Sequence, residues 1–219
     1  MELIKALLLG FIQGATEFLP VSSSGHLVLG SHLLGFTEQS IAFDVMLHIG
    51  TLVSVLLVFR RDIASMLVAP WHWLRGNRSD ATLHFLRWDA AIIVATIPAV
   101  IVGLTMKDLV EALFTSLLVV YLMLAVTGVL MILSSRLVDR GSRITWWRAL
   151  LIGVGQACAI VPGLSRSGTT IFTAMLLGVN RETAARFSFL MSLPAILGAA
   201  VLHLGDVVRH PPEVQSLVY

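Results

Sequence analysis

Long apolar runs separated by short polar connections set the pattern of this chain. Ile41–Phe59, Ala90–Met106 and Ala112–Leu133 are each long enough to cross a hydrocarbon core of about 30 Å as helices, and Phe187–Leu204 is a fourth such run. Two further segments, 3–36 and 149–179, hold pairs of shorter apolar runs broken by Pro, Gly and Ser at Glu17–His26 and Pro162–Thr170. Runs of that length suit re-entrant helix-loop-helix segments rather than spans. Arg60–Arg87 and Ser134–Arg148 read as polar connections, whose Trp71, Trp73, Trp146 and Trp147 fit an interfacial belt. The pattern predicts an all-α polytopic membrane protein, with residues 1–219 forming a single integral membrane domain.

A repeat organises these elements. A constant offset of 143 aligns Lys5-Ala-Leu-Leu-Leu-Gly10 with Arg148-Ala-Leu-Leu-Ile-Gly153, pairs Gln13 with Gln156 and Ser22 with Ser165, and matches Ser24-Gly25 to Ser167-Gly168. The first copy covers about 3–134 (re-entrant 3–36, spans 41–59, 90–106 and 112–133). The second covers about 146–219 (re-entrant 149–179, span 187–204). Three spans in the first copy place the second upside down, an inverted-topology repeat whose broken helices meet near the midplane. With the N-terminus outside, eleven basic residues fall in cytoplasmic connections and only Lys5, Lys107 and Arg209 outside, as the positive-inside rule requires. The plan needs two more spans after residue 204, so the second copy is expected to be incomplete.

Composition sharpens this picture. The chain is 57% hydrophobic and 13% charged, against about 25% charged for soluble domains, and its mean hydropathy is +0.88. No cleavable leader is expected at the N-terminus, because the first apolar run leads into a polar break. The net charge of +2 reports topology before any anionic partner, and no nucleic acid is expected. The single Cys158 excludes an internal disulfide and a cysteine metal cluster. Asp44 reads as interfacial.

The two breaks carry the candidate chemistry. Gln13 and Glu17 stand four apart on one helix face, and that helix should end before Pro20. Ser22-Ser23-Ser24-Gly25 then opens a new helix whose first turn carries His26, and a serine N-cap with free backbone amides favours an anion. The second break, Pro162-Gly-Leu-Ser-Arg-Ser-Gly168, again places hydroxyls and a glycine at a helix start, with Arg166 as a fork of donors suited to phosphate. Serines and glycines in membrane helices more often serve close packing. Ionisable groups in apolar surroundings are more telling. If the two tips meet, a carboxylate, an imidazole, a guanidinium and several hydroxyls suit phosphoryl transfer. A transporter or lipid flippase, or a non-catalytic lipid-binding protein, would use the same repeat.

Gln13-Gly-Ala-Thr-Glu17-Phe-Leu-Pro-Val-Ser-Ser-Ser-Gly-His26 and Pro162-Gly-Leu-Ser-Arg-Ser-Gly-Thr169 resemble the two motifs of the bacterial undecaprenyl-diphosphate phosphatase family associated with bacitracin resistance. The similarity runs from about residue 2 to about 205. It implies hydrolysis of undecaprenyl diphosphate to the monophosphate at the plasma (inner) membrane, with the site facing the periplasm or cell exterior. It also implies a divalent cation, Mg²⁺ or Ca²⁺, and contact with membrane lipids; a homodimer is compatible with it. Carried over, the roles are catalytic for Glu17, Ser23, His26 and Arg166, phosphate-binding for Ser22, Ser24, Gly25, Ser165, Ser167 and Gly168, and metal-holding for Glu17 and Gln13. Ser23, His26 and water remain alternative nucleophiles.

Overall fold

The computed structural model describes residues 1–36 and 41–209, with no account of the side chains at 41, 42, 44, 45, 107, 111 and 199–209. Asp44 and residues 210–219 therefore lie outside the described part. Ten helices run through the described residues: α1 (Glu2–Glu17), α2 (Ser23–Leu34), α3 (Ile41–Val58), α4 (Arg60–Leu74), α5 (Asp80–Thr105), α6 (Lys107–Phe114), α7 (Leu117–Ser134), α8 (Trp146–Cys158), α9 (Arg166–Leu176) and α10 (Arg181–Arg209).

By length and composition α5 and α7 are long and apolar enough to cross a membrane, and Met46–Val58 within α3 is a shorter apolar stretch. Along α7 Leu118, Leu122, Val129 and Ile132 are each more than half exposed. Apolar surface that extensive belongs against hydrocarbon rather than water.

Two expectations need correction. Within the expected polar connection Arg60–Arg87, residues 60–74 form α4 and residues 80–87 are the first turns of α5. Arg60, Arg61 and Asp62 gave the segment a loop-like composition, but Phe59, Ile63 and Met66 recur at helical spacing and pack against the main core. The span expected from residue 112 begins at Leu117, because the chain leaves the helix at Thr115 and Ser116 has extended backbone, φ −98° and ψ 101°.

Packing places the two broken segments side by side. α1 packs on α2 and α8 on α9, while α7 touches both α2 and α9 and so stands between the hairpins. α5 lies along α8, where a Cβ at Gly153 would sit 2.2 Å from the Ala95 carbonyl oxygen. Glycine is required there because the backbones meet. The main core gathers Ala91, Ile92 and Ala95 of α5, Ala149 and Ile152 of α8, and Phe187, Leu190 and Met191 of α10. This core holds the second hairpin from behind, leaving its tip to face α1.

Candidate active site

The first hinge follows from local chemistry. α1 stops at Glu17, three residues before Pro20, where the proline ring disfavours helical backbone in the residue ahead of it. Ser22 then caps α2: its Oγ accepts from Gly25 N at 3.3 Å, and its backbone sits at φ 69°. That left-handed conformation is uncommon for a residue with a side chain. Ser24 Oγ lies 3.3 Å from Ser22 Oγ. His26 Nδ1 is 2.8 Å from the Ser22 carbonyl oxygen. A carbonyl only accepts, so that nitrogen is the donor, and in the neutral ring Nε2 is then the acceptor.

The second hinge repeats the cap with different means of support. Ser165 Oγ accepts from Gly168 N at 3.0 Å, so Arg166 opens α9. The turn before it belongs to Gly163, at φ 91°. Thr127 of α7 holds this turn: its Oγ1 donates to Gly163 O and accepts from Ser165 N, both at 2.9 Å. Ser165 Oγ and Ser167 Oγ are 3.4 Å apart.

The tips meet. Arg166 Nη2 donates to Glu17 Oε1, Ser23 Oγ donates to Glu17 Oε2, and Gln13 Nε2 donates to the same Oε2 at 3.0 Å. Ser167 Oγ reaches Leu19 O at 3.4 Å, and a Cβ at Gly25 would lie 3.1 Å from Gly163 Cα. Gln13, Glu17, Ser23, Arg166 and Ser167 thus meet at this junction, Ser22 and Ser165 cap the helices that form it, and Ser24 and His26 are held to Ser22 beside it. An ion pair and charge-assisted hydrogen bonds offset the cost of placing Glu17, whose side chain is only 7% exposed, in the interior.

The arrangement supplies a carboxylate bonded to a hydroxyl, a basic imidazole nitrogen one helical turn from that hydroxyl, and a guanidinium whose pairing an incoming anion can contest. Two helix N-termini, α2 and α9, add their unpaired amides. For a divalent cation the donor set is sparse. Among the described residues no group of three or more His, Cys, Asp or Glu could hold a metal. Gln13 Oε1, however, is buried with no hydrogen-bond partner among the described residues, and it can act together with the Glu17 carboxylate. That fits an ion that takes its other ligands from phosphate and water, as Mg²⁺ commonly does.

Sequence reasoning missed Thr127, and with it Thr51, Ser188 and Ser192, all buried polar residues around the junction. A hydroxyl inside an otherwise apolar run was the available signal. It does not distinguish a residue bonding its own helix from one reaching across to another.

Comparison with known proteins bears on this junction. Residues 6–218 match the family described as bacitracin resistance protein BacA. The chain is 45% identical over 216 residues to an undecaprenyl-diphosphatase of Desulforapulum autotrophicum, covering 94% of this chain and 78% of the relative. The undecaprenyl-diphosphatase of Syntrophotalea carbinolica is 46% identical over 208 residues, covering 93% and 77%. That of Methanobrevibacter smithii is 44% identical over 221 residues, covering 94% and 78%.

Proposed function

The chain belongs to the bacitracin resistance protein BacA family, and from that premise we infer that it is an undecaprenyl-diphosphatase. It hydrolyses undecaprenyl diphosphate to the monophosphate and inorganic phosphate, recycling the lipid carrier and conferring bacitracin resistance. The observation that carries the assignment of residues is the pairing of Glu17 with Arg166 across the two hinges.

Arg166 clamps the diphosphate and stabilises the charge on the transferred phosphoryl group, because positioning and electrostatic stabilisation dominate phosphoryl transfer. The hydrogen bond from Ser23 to Glu17 supports Ser23 as the attacking hydroxyl and Glu17 as the group that orients it and takes its proton. Attack on the terminal phosphorus forms the Ser23 ester and breaks the bridging P–O bond, and the lipid monophosphate departs. His26, with Nε2 free to accept, serves as base or returns a proton to the leaving oxygen. Ser22, Ser24, Gly25, Ser165, Ser167 and Gly168 shape the anion pocket at the two helix starts. Glu17 and Gln13 would hold a divalent cation, Mg²⁺ or Ca²⁺, which would neutralise diphosphate charge.

The hinges form the two halves of an inverted-topology repeat, entering from opposite faces of the plasma membrane. The distribution of eleven basic residues against three supports placing the Glu17–His26 hinge on the periplasmic or exterior side. The test is phosphate release by purified protein from a long-chain polyprenyl diphosphate, beside Glu17→Ala, His26→Ala and Arg166→Ala. Metal-dependent release lost in all three is expected. Substrate moved across a vesicle bilayer without phosphate release would instead assign a transporter.

A further inference from the structure

Behind the Glu17–Arg166 pair lies a small cavity between α3 and α10, with Thr51, Ser188 and Ser192 among its lining residues. None of the three belongs to either motif, and each is at most 4% exposed. Their protons are already committed. Thr51 Oγ1 donates to His48 O at 2.9 Å and Ser192 Oγ to Phe189 O at 2.7 Å. Thr170 Oγ1 donates to the carbonyls of Arg166 or Ser167, at 2.8 and 3.1 Å, so the 2.6 Å contact between Ser188 and Thr170 is a donation from Ser188. What these hydroxyls leave for the cavity is lone pairs.

Arg166, which also lines the cavity, contributes the opposite polarity: its Nη1 is buried and has no partner among the described residues. One donor facing several acceptors does not suit a second phosphate, which needs donors throughout. Nor does it suit a cation, since the unpartnered Arg166 Nη1 is a donor and offers a cation no lone pair. It does suit a water molecule, which can accept from the guanidinium and donate to two of the three hydroxyls at a time, and the space is roughly that of one water. Val55, Phe189 and Ile196 supply apolar walls to the same space.

We propose that this cavity is a built water site, and that Thr51, Ser188 and Ser192 are positioning residues for the water consumed in hydrolysis. This rests on the phosphatase reading above. The water oxygen forms the new bond to phosphorus as the bond from phosphorus to the Ser23 oxygen breaks; Glu17 returns to that oxygen the proton it took from Ser23 and then takes up the water's proton, and phosphate leaves. The cavity and the reaction centre share Glu17 and Arg166, so the water needs no path through the apolar walls.

The test joins a structure to kinetics on the full chain. A crystal structure grown from lipid should show a water between Arg166 Nη1 and the three hydroxyls. Thr51→Val and Ser192→Ala should each lower kcat about tenfold, the size of one lost hydrogen bond, with KM unchanged, and Thr51→Ser should recover the rate lost in Thr51→Val. A purely structural role would instead lower folded yield and thermal midpoint while leaving kcat per folded molecule intact. A dry cavity, or full kcat in both variants, would overturn the proposal. A wild-type protein that holds the water yet releases no phosphate would overturn the phosphatase reading and the hydrolytic role with it, leaving the water site standing.

Discussion

At the first hinge the sharp turn falls on Ser22, a residue with a side chain at φ 69°; at the second it falls on Gly163, at φ 91°. The reason lies in what surrounds each turn. A Cβ at Gly163 would meet Val120 O of α7 at 2.4 Å, so only glycine fits between the hinge and that helix. Ser22 has room for a side chain and uses it to cap α2. The groups proposed to react are divided unevenly as well. Glu17, Ser23 and His26 stand in the first hinge, whereas the equivalent positions in the second are Ile160, Arg166 and Thr169. Gln13 is bonded to Glu17, but its counterpart Gln156 is buried with neither amide atom partnered among the described residues. Similar serine-capped breaks thus hold Arg166 behind a glycine turn on one side and, on the other, the residues proposed as nucleophile and base behind a turn at Ser22.

The largest effect is expected from breaking the bond between the two. Arg166→Ala should reduce phosphate release about 100- to 1,000-fold or more and destabilise the fold by about 3–5 kcal/mol, because Glu17 stays buried without its partner. Arg166→Lys should restore part of the stability but little of the rate, since a point charge replaces the fork.

Glu17→Gln should cost about 100-fold in release rate, and adding Ile160→Glu in the second hinge should not restore it. Recovery in that double variant would show the hinges to be chemically interchangeable. Gly163→Ala should lower stability by about 2–3 kcal/mol through the clash with Val120 and the left-handed backbone, read as a fall in the thermal midpoint in detergent.

Thr127→Val removes the support that the second hinge draws from α7, leaving Ser165 N without its partner. A loss of about 1–3 kcal/mol is expected by the same thermal assay. Ser22→Gly is expected to change stability least, by about 0.5 kcal/mol or less, because relief of the positive φ offsets the weaker cap. A fall of several kcal/mol would mean that the Ser22 side chain supports more than α2.

Legibility varied from element to element. The ends of α1 and the starts of α2 and α9 were readable because Pro20, Ser22 and Ser165 act on their immediate neighbours. α4 was obscured because Arg60 and Arg61 are exposed and Asp62 is paired with Arg186 of α10, while Phe59, Ile63 and Met66 pack against the core. The pairing of Arg166 with Glu17 could be anticipated as two ionisable groups in apolar surroundings needing each other. That Thr127 would grip the second hinge could not, since one threonine in the apolar run of α7 is equally at home bonding its own helix.

From sequence alone follow the helical class, the two break points, their serine caps and the ionisable residues the breaks carry, because each depends on local backbone chemistry or on the cost of bare charge among apolar residues. Only the tertiary structure decided that Ser23 and Arg166 meet on opposite oxygens of Glu17, and that Gly163 must pass under Val120. It also decided that Thr51, Ser188 and Ser192 gather behind the ion pair. Those contacts join residues up to 149 positions apart, and they exist only once the packing of α3, α7 and α10 has brought the helices together.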